Sequence, residues 1–233
     1  MIHNPRDESS IRIPVKPSDI DVVHIVDSWP DNLVSLNLEV STGPVVPFRA
    51  RQYLLQDIAK GAPSVPLLWM HNLLEMGVVW PFSKNGKAKA ILDTRETKSL
   101  LLSVKNYVLL KRFSSKEQKR RLYASVLRAG DLNYPRVGLE NHLNYIHRPG
   151  GSVSLYEAMG IAAILNTGLI DSYFRTLSGN TQVNATDIRR LPLPDVGAIA
   201  EIGKRVHENI VRLGKLDVDT VVTGVLGVKQ KAS

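Results

Sequence analysis

The stretch that most restricts the fold is SLYEAMGIAAILNTGLIDSYFRTLSG, residues 154–179. Ser154 and Glu157 form an S-x-x-E capping box, in which a hydroxyl and a carboxylate satisfy backbone amides that the first turn of a helix leaves open. Behind the box, Leu155, Met159, Ala162, Leu165, Leu169 and Tyr173 recur at helical spacing, which predicts one long helix over 155–177. Ser178 and Gly179 form its natural end, with glycine taking the left-handed cap.

The following stretch, SGNTQVNATDIRRLPLPD, places Asn180, Gln182 and Asn184 close together and then runs into Pro192 and Pro194. Asn184 is positioned to cap a short turn, ATDIRRL, which the prolines end. Most of this segment reads as a structural joint, with Asn180 and Gln182 left as contacts for phosphate or for a partner. A second amphipathic helix is predicted through Ile199, Ile202, Val206, Ile210 and Leu213. The last residues, VVTGVLGVKQKAS, are apolar and then basic and read as poorly ordered.

Upstream the pattern is different. Residues 11–29 open extended around Pro14 and Pro17, and Ser18 is predicted to cap a short helix bearing Ile20, Val23, Ile25 and Val26. Residues 36–48 alternate and turn at Gly43-Pro44, and a helical turn is predicted in the RARQYLLQDI segment. Between GVVWPF and AKAILD, Asn85-Gly86 is a dipeptide suited to a tight hairpin. Strands are predicted in NYVLLKRF (106–113), RRLYASVLR (120–128) and LENHLNYIHR (139–148). The expected class is therefore α+β: a β-rich core to about residue 150, then a long capped helix and a C-terminal amphipathic helix. A division at 195/196 is expected, between a recognition domain over 1–195 and a helical segment and tail over 196–233.

Composition narrows the chemistry. The 233 residues include no cysteine, which excludes disulfides, thiolate zinc sites and cysteine nucleophiles, and the six histidines are scattered. No run of about 18 apolar residues offers a membrane span, and the N-terminus has no signal-peptide core, so a cytoplasmic protein with no membrane partner is expected. There is no P-loop, no G-x-G-x-x-G fingerprint, no G-x-S-x-G elbow and no H-E-x-x-H pair.

The formal charge is +8, and the window 105–128 supplies seven of those charges: Lys105, Lys111, Arg112, Lys116, Lys119, Arg120, Arg121 and Arg128 stand against Glu117 alone. Tyr107, Phe113 and Tyr123 are interleaved with them. Cations on strand ends and their connecting turn can release counterions from phosphate, and arginine can make a forked contact with guanine. The same charges also suit a solvated hairpin. Ser114 and Ser115 in the turn FSSKEQ can bond local backbone or touch a nucleic acid. Arg49 and Arg51, after the Gly-Pro turn, can meet phosphate or a carboxylate. His142 and His147 lie along one predicted strand and read as satisfied or surface histidines, and Asp19, Asp21 and Asp27 read as helix surface.

Three stretches, VSLNLEVSTGPVVPFRAR, NYVLLKRFSSKEQKRRLYASVL and the run from Asn141 through Pro194, together resemble the C-terminal half of bacterial adenine-specific DNA methyltransferases of restriction-modification systems. The group in question carries a TaqI-like specificity domain, and the resemblance runs from about Ile11 to about Leu213. It implies that this chain holds double-stranded DNA and reads a site, while an N-terminal catalytic half binds S-adenosylmethionine and methylates a flipped adenine. The catalytic half of such enzymes carries an Asn-Pro-Pro-Tyr-type motif. Here the one Asn-Pro pair, Asn4-Pro5, continues into Arg6, so the chain is expected to lack the catalytic half, to hold no cofactor and to be inactive as a methyltransferase alone. The DNA-binding set implied is Arg49, Lys111, Arg112, Ser114, Ser115, Lys116, Lys119, Arg120, Arg121, Asn180 and Gln182. An alternative reading is a protein-interaction or assembly module that uses the basic hairpin and the C-terminal helix.

Overall fold

Strands precede helices along most of the chain in the computed structural model, which describes residues 2–4, 7–12, 16–59, 61–82, 84, 86–113, 120–177, 183–213 and 217–228. In chain order the elements are β1 (Ile2–Asn4), β2 (Asp7–Arg12), α1 (Pro17–Asp27), β3 (Glu39–Thr42), β4 (Leu54–Leu55), β5 (Ser64–Leu68), β6 (Leu73–Leu74), β7 (Gly77–Val78), β8 (Ala90–Leu92), β9 (Leu101–Ser103), β10 (Tyr107–Lys111), β11 (Ala124–Leu127), β12 (Arg136–Leu139), β13 (Leu143–His147), α2 (Leu155–Leu165), α3 (Gly168–Leu177), α4 (Ala185–Arg189), α5 (Val196–Leu213) and α6 (Val218–Leu226). The architecture is α+β.

Two sheets carry the β part. One is antiparallel, in the order β11-β10-β13-β3; the other runs β4-β8-β5-β12-β9, with β12 parallel to β5. Alternation along β10 assigns its faces: Val108 and Leu110 point to the helices with Val40, Val126 and Ile146. Tyr107 and Leu109 point the other way, onto Leu68, Val137 and Leu139 of the second sheet. The layers are therefore helices, four-stranded sheet, five-stranded sheet. A third cluster of Val45, Ala50, Val65, Leu67, Trp69 and Ile91 fills the far side of the second sheet.

The capping box forms as predicted: Glu157 N donates to Ser154 Oγ (3.2 Å), and Ser154 N to Glu157 Oε2 (3.4 Å). The single long helix does not. It breaks at Asn166 and Thr167, because Asn166 is used to satisfy the edge of the four-stranded sheet. Its Oδ1 accepts from Ala124 N (2.9 Å) and its Nδ2 donates to Ala124 O (2.8 Å). Thr167 Oγ1 then accepts from Ile170 N (3.2 Å), starting α3. The expected glycine cap at Gly179 lies outside the described residues.

Other expectations are corrected locally. Ser18 does not cap α1; the N-cap is Lys16, whose amide donates to Asp19 Oδ2 (2.9 Å), with Pro17 in the first turn. Val23 and Val26 are buried as expected, but Ile20 is exposed. Asp27 is more than helix surface, since it accepts from Tyr173 OH (2.6 Å). Gly86 does take a left-handed φ of 65°, yet the strands on either side do not pair with each other: β7 pairs with β6, and β8 with β4 and β5. Asn184 stands at the N-cap position of α4, as predicted, but its side chain makes no capping hydrogen bond.

The C-terminal helices are integral to the core. Ile199, Ile202 and Val206 of α5 are buried in the same cluster as α2 and the four-stranded sheet, so residues after 195 share the core with those before it. Of the tail expected to be poorly ordered, residues 221–226 instead form the end of α6, which is capped by Asp217, whose carboxylate accepts from Thr220 N (3.1 Å), and which buries Val218 and Val222; residues 229–233 lie outside the described residues. No helix among the described residues is long and apolar enough to cross a membrane.

Candidate nucleic-acid interface

Among the described residues, the cations of the basic window are engaged by the fold itself. Lys105 Nζ donates to Gly151 O (3.1 Å), and Arg128 Nε pairs with Asp131 (2.9 Å). Lys111 Nζ lies 3.6 Å above the Tyr123 ring, and burial lowers its pKa from the ordinary lysine value. Arg112 Nη1 donates to Asn141 O (3.3 Å). Arg120 lies between two acids, with Nη1 3.0 Å from Glu75 and Nη2 3.8 Å from Asp219.

Arg121 is 2% exposed, and its amide donates to Asp171 Oδ1 (2.5 Å). The predicted DNA-binding role of Arg121 is at odds with that burial. Arg121 is an interior residue, and the other described cations of the window have neighbours within the fold. Ser114, Ser115, Lys116 and Lys119, like Asn180 and Gln182, lie outside the described residues.

What the fold brings together is one end of the four-stranded sheet. Arg112 N donates to His142 O (2.9 Å), and Val183 N to Arg112 O (2.8 Å). Asn141 N donates to Val45 O (2.9 Å), and Gly43 N to Leu143 O (2.8 Å). These bonds gather four separate chain segments: the turn after β3, the shoulder of the β10–β11 hairpin, the turn before β13 and the joint before α4. Phe113 packs edge-on against His142, ring centroids 5.0 Å apart, while His142 Nδ1 lies 2.5 Å from the buried Glu140 carboxylate. The segments bearing Lys116 and Lys119 and bearing Asn180 and Gln182 are joined in the chain to this same end, through Phe113 and Val183.

The turn after β3 supplies the open face. Arg49 is exposed, as are Arg51 and Gln52 beside it, and Phe48 is 87% exposed. From Val40 to Gln56 there is no acidic residue. Of the predicted site residues, Arg49 is therefore presented to solvent. Arg51, read from the sequence with Arg49 as able to meet phosphate or a carboxylate, is exposed beside it; Phe48 was not singled out, and the signal that could have found it is an aromatic set between Pro47 and two arginines.

At the opposite end of β10 and β13 a cleft of about 330 Å3 is lined by Tyr107, Tyr145, His147, Lys105 and Arg148. Its charges are engaged: Arg148 binds Glu157 (2.6 Å) and the carbonyls of Leu36 and Ser152. Burial depresses the pKa of His147, against a smaller opposing pull from Glu39. No group of three or more His, Asp or Glu side chains placed to hold a metal ion occurs among the described residues.

The chain is 37% identical over 224 residues to the Type II methyltransferase M.BsuBI of Bacillus subtilis, an alignment covering 91% of this chain and 44% of that protein. It is 35% identical over 207 residues to the Type II methyltransferase M.PstI of Providencia stuartii, covering 89% of this chain and 40% of that protein. No family model matches the chain. Nearly all of this chain is thus similar in sequence to two bacterial Type II methyltransferases, and it spans less than half the length of each.

Proposed function

We propose that the chain is the duplex-DNA recognition part of an adenine-specific methyltransferase of a restriction-modification system. The observation that carries this reading is the acid-free, solvent-facing turn with Arg49 and Arg51, tied by backbone hydrogen bonds to the Arg112 shoulder from which Lys116 and Lys119 continue. Similarity to two Type II methyltransferases along nearly the whole chain supports it. Arg49, Arg51, Lys116 and Lys119 would neutralise phosphates, and Arg112, Lys111 and Arg120 would hold the rim in shape.

The methyl transfer belongs, on this reading, to a separate catalytic half that binds S-adenosylmethionine. At the strand–glycine–helix junction between β13 and α2, the helix N-terminus is engaged by the Ser154 hydroxyl and the Glu157 carboxylate, with Arg148 on that carboxylate. The assembly-module alternative leaned on the apolar stripe of the C-terminal helix. Ile199, Ile202 and Val206 of that stripe are buried within the chain itself.

The test is the salt dependence of duplex binding. Each phosphate contact contributes about 0.9 to the slope of log K against log salt, so Arg49→Gln with Arg51→Gln should lower its magnitude by about 1.8. Duplex binding that is insensitive to salt and to both changes would remove this surface from the proposal.

A further inference from the structure

The most exposed large apolar side chain among the described residues is Phe48, at 87%. Its exposure does not come from a loose loop. Val45 and Ala50, which flank the turn, are buried at 0% and 2% exposure. Val45 N donates to Leu139 O (3.0 Å), both Arg49 N and Ala50 N bond Val46 O (2.9 and 3.0 Å), and Tyr53 N bonds Ala50 O (2.9 Å). Pro44 and Pro47 stiffen the same stretch by fixing φ. A rigid turn thus holds a phenyl ring out in water, with Arg49, Arg51 and Gln52 following it in the chain.

That setting selects the partner. With these two arginines and no acid in the stretch from Val40 to Gln56, the turn presents a net positive surface that favours a polyanion. An apolar wedge followed by two exposed arginines suits duplex DNA, where the ring can enter between stacked bases while the cations meet nearby phosphates. We propose that Phe48 is a wedge that partly unstacks one base step of the bound duplex, with Arg49 and Arg51 fixing its position. This rests on the DNA-recognition reading above.

The test separates the wedge from binding itself. Closed circular plasmid is relaxed with a topoisomerase in the presence of the full chain, and the change in linking number is measured beside the salt slope of duplex affinity. Wild type should shift the linking number in proportion to bound protein. Phe48→Ala should lose that shift and keep the salt slope, and Phe48→Trp, which restores an aromatic wedge, should recover it. Binding without any linking-number shift, or a shift that Phe48→Ala leaves intact, overturns the wedge and leaves DNA recognition standing. A Phe48→Ala chain that loses the salt slope as well shows the ring to be a support for the turn and also overturns the wedge. Absence of salt-dependent duplex binding by wild type overturns both.

Discussion

Gly160 and Gly203 allow α2 and α5 to cross in near backbone contact, and replacing either with alanine should be costly because the added methyl meets helix backbone. A Cβ built on Gly160 falls 2.0 Å from Ile199 O, and one on Gly203 falls 1.8 Å from Tyr156 O, where real Cβ contacts essentially never go below 3.0 Å. The obstructing atoms are helix backbone, so the helices must separate by at least about 1 Å, which loosens Ile199, Ile202 and Val206 in a close-packed core. Overpacking of this kind costs about 1–3 kcal/mol, and an immovable backbone argues for the upper end. Alanine returns about 1 kcal/mol through its higher helix propensity, leaving a net loss of about 2 kcal/mol for Gly160→Ala. For a chain of this size that lowers Tm by about 4–8 °C. Gly224 in α6 is the matched control, because nothing lies within 4 Å of its added Cβ. Gly224→Ala should gain up to about 1 kcal/mol from propensity alone. Thermal and urea denaturation followed by circular dichroism measure both, and a Gly160→Ala chain as stable as Gly224→Ala would refute the close-crossing argument.

Two further outcomes follow from buried polar groups. Asn166→Ala removes the acceptor for Ala124 N, while Ala124 O keeps Met76 N at 3.3 Å, so one buried donor is orphaned. The expected loss is about 2 kcal/mol, read from the shift in urea midpoint at constant slope. Burial holds the pKa values of His71 and His147 below 6.5, their ordinary value. The unfolded chain therefore binds protons that the folded one refuses. Stability is complete above about pH 6.5 and declines as pH falls below it, until the folded values are passed. Urea midpoints measured from pH 7.5 downwards should show this decline, and His71→Gln with His147→Gln should flatten it.

The helical half was largely legible because its signals are local. Ser154 and Glu157 are three residues apart, and the apolar spacing of α5 needs no knowledge of its neighbours. The break between α2 and α3 was not legible, because Asn166 leaves the helix to serve Ala124, 42 residues away in sequence. The strands suffered likewise: their apolar runs are visible, but nothing local says that β12 pairs in parallel with β5 or that the strands flanking Gly86 turn to other partners. Gly86 itself was read correctly as a turn residue, since its left-handed backbone is a property of the residue and not of the pairing.

The same distinction explains the candidate site. Counting acids near the basic window found Glu117 alone, yet Arg120 is met by Glu75 and Asp219, the amide of Arg121 by Asp171, and the guanidinium of Arg112 by a carbonyl. A charge run on a strand end is bordered by whatever the sheet order places there, and that order is invisible to a local count. Arg49 and Arg51 escape this because the turn after β3 projects from the sheet and its own sequence contains no acid. Their charge is therefore best compensated by something outside the described fold, whereas much of the charge in the larger cluster is already answered within it. For a surface meant to meet a polyanion, two uncommitted arginines on a rigid turn are worth more than several committed ones, since binding through the latter would first have to break contacts the fold already makes.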